Sequence, residues 1–124
     1  MRRQIVFEIK GKDDSIKSYS INIPTAGQLV DIETYKSVYT QGNYGKIIRS
    51  TTQQSSEALD LVDMNANLRA LCPDLLSDWK VNDLFELDIF DIQLVKSVYD
   101  DKILPWMKEW QDALKNIGKK EDSK

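Results

Sequence analysis

RQIVFEIKGKDDSIKSYSINIP, from Arg3 to Pro24, decides the class of fold. Ile5, Phe7 and Ile9 alternate with Gln4, Glu8 and Lys10, and only Val6 falls out of pattern. Period-two alternation places one face of a strand on a core and the other in water. GKDDS, at 11–15, is turn chemistry: Gly11 is free to take a positive φ, and two aspartates can bond their own backbone. Tyr19, Ile21 and Ile23 then alternate with Ser18, Ser20 and Asn22, which predicts a second strand and hence a hairpin. Two strands alone are marginally stable in water, so the apolar face has to lie on helices.

The rest of the chain supplies those helices. Pro24 ends the second strand. Thr25 and Gln28 have capping-box spacing, and Leu29, Ile32, Tyr35 and Tyr39 follow at helical spacing towards a stop at Gly42. Asp31 is the rival start, which would leave TAGQLV as a loop. A second short helix is expected over Tyr44 to Arg49, and the polar TTQQSSE leads to a cap at Ser55 or Ser56. Ala58, Leu61, Met64, Leu68, Leu71 and Leu75 form one stripe, terminated or bent by Pro73. SDWKVND reads as a connection, with Asn82 or Asp83 capping the longest segment. There Phe85, Ile89, Ile92, Tyr99, Ile103, Trp106, Trp110, Ala113 and Ile117 fall on a 3-4 spacing, broken once by Lys96. Pro105 should kink this helix near Asp101.

The expected architecture is therefore α+β and mostly α, an N-terminal β-hairpin packed on a bundle of about four helices. One domain over 1–118 accommodates it, with the hairpin at 3–23, the helical part at 25–114 and a disordered polar tail at 119–124. A length of 124 residues suits one core, and 41% apolar with 30% charged residues is a globular composition rather than a disordered one. No apolar run approaches the roughly 20 residues that span a bilayer. Glu8 and Lys10 interrupt the stretch after Arg2 and Arg3, so it does not read as a signal peptide. The implied setting is intracellular.

Composition also narrows the chemistry. Histidine is absent, which removes the commonest general base and the Cys/His type of zinc site. Cys72, the single cysteine, lies in LRALCPDLL and reads as a buried small hydrophobe. GNYGK at 42–46 invites comparison with a phosphate loop. That loop needs Gly, four residues, Gly, Lys and then a hydroxyl. Thr40 stands where the first glycine belongs and Ile47 where the hydroxyl belongs, so the segment reads as a linker. Asp60 with Asp63, Asp88 with Asp91, and Asp100 with Asp101 are paired carboxylates, fewer than an oxygen-type metal site requires. Neither a catalytic group, a cofactor site nor a metal site is expected.

Charge is uneven. Residues 1–50 carry eight Lys/Arg against five Asp/Glu, and 51–124 carry nine against fifteen. Eight acids lie between Asp74 and Asp101, answered only by Lys80 and Lys96. An acidic middle argues against nucleic acid, which wants clustered cations. Trp106 and Trp110 share a helix face; core packing is the default use of that spacing, and partner contact, with Tyr99 as a third candidate, is the alternative. A membrane helix would need a lysine-rich polar side, which this segment lacks. The apolar girth of the last helix also leaves a homo-oligomer open.

Several of these segments resemble tail assembly chaperones of tailed bacteriophages. They are GQ-x-x-DIE at Gly27 to Glu33, G-x-Y at Gly42 to Tyr44, the aliphatic helix ending in a proline, and Tyr-x-x-x-x-x-Pro-Trp at Tyr99 to Trp106. The similarity spans about residues 23 to 110 and leaves the N-terminal hairpin unmatched. It implies a non-enzymatic protein of the host cytoplasm that binds the helical tape-measure protein, keeps it soluble and helps deliver tail-tube subunits. In that family a longer frameshifted form is also made. The alternative is a structural virion subunit, a head-tail connector or tail component, located in the particle.

Overall fold

A computed structural model describes residues 2–11, 13–41 and 53–122. The fold is α+β and mostly helical, with one antiparallel hairpin and about four helices. Strand β1 covers Gln4–Lys10 and β2 covers Ile16–Asn22. Helices are α1 at Ala26–Tyr39, α2 at Gln53–Leu71, α3 at Pro73–Asp78, α4 at Ile89–Val98 and α5 at Leu104–Asp122. A 3-10 turn occupies Leu84–Glu86, and a π turn, Tyr99–Ile103, joins α4 to α5. The helix stop at Gly42, the turn at Gly45, the short helix over Tyr44 to Arg49 and the whole G-x-Y segment lie outside the described residues. Two compact units divide the chain: Met1–Ile23 with Gln93–Lys124, and Pro24–Ile92.

In the first unit the alternation resolves as the sequence predicts. Ile5, Phe7 and Ile9 on β1 and Tyr19 and Ile21 on β2 are buried, while Val6 and Ile16 face outwards. Phe7 pairs with Tyr19 across the ladder, their rings 5.8 Å apart. At the turn, Asp13 Oδ1 accepts from Ser15 N–H at 3.2 Å and from its hydroxyl at 2.5 Å. The left-handed residue is Asp14, at φ 63°, rather than Gly11. A short polar side chain tolerates that conformation, so the glycine is not needed for it.

The hairpin is tied to α5. Arg2 donates from its backbone N–H and from its guanidinium to the two carboxylate oxygens of Glu109, each at 3.0 Å, and Trp106 Nε1–H donates to the carbonyl of Arg2 at 2.8 Å. Between α4 and α5 the break expected from Pro105 takes the form of the π turn, closed by Leu104 N–H to the carbonyl of Tyr99. Proline lacks an N–H and its ring crowds the carbonyl four residues back, so the wider turn just before it relieves both demands. Helix α5 extends to Asp122, into the segment read as a disordered tail.

The second unit opens with the capping box. Gln28 N–H donates to Thr25 Oγ1 at 3.2 Å and Thr25 N–H donates to Gln28 Oε1 at 2.9 Å, so Thr25 and not Asp31 starts α1. Helix α2 begins at Gln53, ahead of Ser55 and Ser56, because glutamine is a good helix former and extends the turn. It stops at Leu71. Pro73 then stands at the first position of α3, where its missing N–H costs nothing. Leu75 thereby leaves the α2 stripe and packs from α3. Lys80 at φ 58° closes α3 in a Schellman arrangement, its N–H on Ser77 and that of Val81 on the carbonyl of Leu76.

Asp83 is the expected cap, yet it caps the 3-10 turn: Phe85 N–H reaches its Oδ1 at 2.8 Å while Glu86 accepts from Asn82 and Asp83. Phe85 therefore belongs to that turn and not to the long helix. The α4 helix starts at Ile89 with Asp91 N–H on Asp88 Oδ1 at 2.8 Å. Ile89 and Ile117, assigned to the apolar stripe by spacing, are exposed. Ile103, Trp106 and Trp110 keep the stripe's phase at and beyond the π turn, so the stripe fails only at its two ends, in the first turn of α4 and in the last turns of α5.

Candidate functional site

Tyr99, Trp106 and Trp110, the side chains picked out for partner contact, are brought together in the first unit and are buried there. Trp106 has no exposed surface, and Tyr99 and Trp110 are 4% and 5% exposed. The π turn sets the first, and two successive turns of α5 carry the others. The two indoles meet edge to face, 6.4 Å between centroids at 68°, a favoured geometry for rings with opposite edge and face charge. The hydroxyl of Tyr99 points at Met107 Sδ, 3.9 Å away. The Trp106 N–H is satisfied by Arg2, whereas Trp110 Nε1–H finds no acceptor among the described residues. Such an arrangement holds α5 against its surroundings by apolar packing.

At least one member of each carboxylate pair is engaged in a local bond. Asp63 lies 3.6 Å from Lys36 Nζ, which also reaches Glu33 at 3.4 Å. Asp88 caps α4. Asp100 holds Lys96 at 2.6 Å, and Asp101 lies 3.9 Å from Lys102. Among the described residues no group of three or more Asp, Glu or Cys is placed to hold a metal ion. Cys72 is buried at the α2–α3 junction, and burial pushes its thiol above the ordinary value, with a weaker opposing bond from Leu75 N–H. It stays a protonated thiol at neutral pH, a poor nucleophile.

Sequence reasoning missed the polar ties of the second unit. Arg69 Nη1 donates to the Tyr39 hydroxyl at 3.0 Å, and its guanidinium carbon lies 4.4 Å over the Tyr35 ring. Tyr39 stacks on Tyr35 at 6.4 Å and meets Phe85 edge-on at 5.2 Å. Burial raises the Tyr39 hydroxyl above its ordinary range, the Arg69 bond acting the other way. Asn65, fully buried, accepts from Leu84 N–H at 2.8 Å, while its own Nδ2 has no acceptor among the described residues. Asparagine in the middle of an aliphatic helix carries no pattern that announces burial.

Besides Phe85, the described surface of the same unit carries exposed apolar side chains on α1 and on α4. On α1, Leu29, Val30 and Val38 are exposed, the two valines at 65% and 62%. Leu29 and Val30, with Glu33, Thr34 and Ser37, border one shallow depression. On the first turn of α4, Ile89 and Phe90 are exposed, Phe90 at 81%. No described helix is long and apolar enough to cross a membrane.

Compared with protein-family models, with curated proteins and with solved structures, the chain gives no match.

Proposed function

We propose that the protein is a non-enzymatic binding factor of phage tail morphogenesis, acting in the host cytoplasm, that holds the tape-measure protein soluble and aids assembly of the tail tube. The observation that carries this reading is the outer side of α1. One of the segments that resemble tail assembly chaperones, Gly27 to Glu33, lies on α1 and presents Leu29 and Val30 to solvent, with Val38 two turns on. The strip along Leu29, Val30, Glu33, Thr34 and Ser37 borders a shallow depression and presents two apolar side chains to the apolar face of another helix. Glu33 on the same strip would meet basic residues at the edge of such a client.

The absence of histidine, the protonated Cys72 and the carboxylates spent on lysines and on caps support a binding role over catalysis. Co-expression with tape-measure and tail-tube proteins tests the proposal. A chaperone keeps the tape-measure protein soluble and is missing from purified particles. A fixed copy number in particles would replace it with the structural-subunit reading. Val30→Asp with Val38→Asp should abolish client solubilisation while leaving the helix content unchanged.

A further inference from the structure

Among the described residues β1 is bordered by a strand, β2, on one side only. Ile23 N–H donates to the carbonyl of Arg3 and Gly11 N–H to that of Ser15, which in the observed register makes the odd-numbered residues of β1 the hydrogen-bonded partners of β2. Bonded and non-bonded pairs alternate in an antiparallel ladder, so the N–H and C=O of Val6 and Glu8 point away from β2. Among the described residues nothing bonds them.

Beside them runs a groove of about 460 Å³, lined by Val6, Phe7 and Glu8 on one wall and by Val98, Asp101 and Lys102 on the other. Successive strand residues face opposite sides of a sheet, so three in a row line one groove only along the strand edge. No β2 residue lines it. The opposite wall belongs to one side of the helical rod, on which Val98, Asp101 and Lys102 follow at helical spacing.

We infer that this groove takes an extended segment of another polypeptide, added to β1 as a third strand. Two outward N–H and two outward C=O groups offer main-chain bonds that only an extended backbone can meet, a helix having its own bonds turned inward. Side chains set the preference. Val6 and Val98 suit an apolar residue. Glu8 and Asp101 outnumber Lys102, which already lies 3.9 Å from Asp101, and so suit a basic residue beside the apolar one. The occupant is a strand of alternating apolar and basic residues. This inference does not depend on a helical client, and a helix bound to α1 would leave the β1 amides unmoved.

The test titrates the full-length ¹⁵N-labelled chain with a capped peptide of about six residues, long enough to span the groove, alternating valine and lysine. The Val6 and Glu8 amide signals should move and their hydrogen exchange should slow, while those of Ile5 and Phe7, already in the ladder, change little. Val6→Pro removes one outward N–H and no ladder bond, and should abolish the effect with the circular-dichroism spectrum retained. Glu8→Lys, an exposed change that keeps the backbone, should weaken the valine–lysine peptide several-fold and favour a valine–glutamate one. If Val6→Pro does not fold, Glu8→Lys decides alone. Unmoved Val6 and Glu8 amides at millimolar peptide, or equal movement with a helical peptide of the same composition, would overturn the inference.

Discussion

The two compact units solve the same problem with different materials. In the unit built from the hairpin and α5, the buried set is almost wholly apolar: Ile5, Phe7, Ile9, Tyr19, Ile21, Ile103, Trp106 and Trp110. In the unit containing α1, α2 and α3, two asparagines are buried with the aliphatics, and polar ties add to the hold: Asn65 to Leu84, Arg69 to Tyr39 and Lys36 to Asp63. The difference teaches where stability should be concentrated. Apolar packing loses most when a large ring is removed, and a polar tie loses most when one partner is left buried and alone.

The sharpest way to break the contrast is Trp106→Ala. Removing a fully buried ring that also fixes Arg2 should cost about 3–5 kcal/mol, read from denaturant midpoints at unchanged slope; Trp110→Ala should fall in the same range. A loss under about 1 kcal/mol for either would contradict a core role. Next comes Asn65→Ala in the other unit, which strands Leu84 N–H in the interior and should cost about 1–3 kcal/mol. A smaller loss would mean that the helix and turn relax and let water in.

The two tryptophans then sharpen the contrast within one unit. Trp106→Phe gives up the bond to Arg2, while Trp110→Phe gives up an N–H that has no acceptor among the described residues. The first should therefore be the more destabilising by about 1 kcal/mol, and equal losses would show that Trp110 finds a partner in solution. A change in the opposite direction is expected at Lys80. Its left-handed backbone is one that glycine adopts freely, so Lys80→Gly should raise stability by about 0.5–1 kcal/mol.

The smallest effect is acidic. Arg2 holds the Glu109 carboxyl below its ordinary range, and Ser15 does the same for Asp13. A carboxyl depressed in the folded state contributes above its unfolded value, and the contribution fades as pH falls through the folded one. Both groups are exposed, so the expected result is a shallow fall in melting temperature on the acid side. Glu109→Gln and Asp13→Asn should each flatten part of it.

Legibility in the sequence follows the same divide. The hairpin was readable because alternation leaves one answer for each residue, and the Thr25 capping box because its two partners sit at fixed spacing. The burial of Trp106 and Trp110 was carried by helical spacing, with partner contact as the rival use. What stayed hidden depends on phase or on distance along the chain. The 3-10 turn that removes Phe85 from the stripe reflects Asp83 and Glu86 closing on each other, a local bond that outcompetes an early helix start. Arg69 meets Tyr39 across 30 positions, and Asn65 meets Leu84 across 19, separations that no periodicity encodes. The outer strip of α1 was misassigned at Leu29, which spacing grouped with Ile32 and the structure turns outward.

The wide turn at Tyr99–Ile103 has a consequence for insertions and deletions. It holds one residue more than an ordinary helical turn, so losing Asp100 would let the rod close without rotating Trp106 from its seat. The ring of Pro105 would then press on the carbonyl behind it. Shortening the chain and replacing the proline are thus mutually permissive changes: each alone leaves a strained or slack turn, and the two together restore a straight rod with the same residues facing inward.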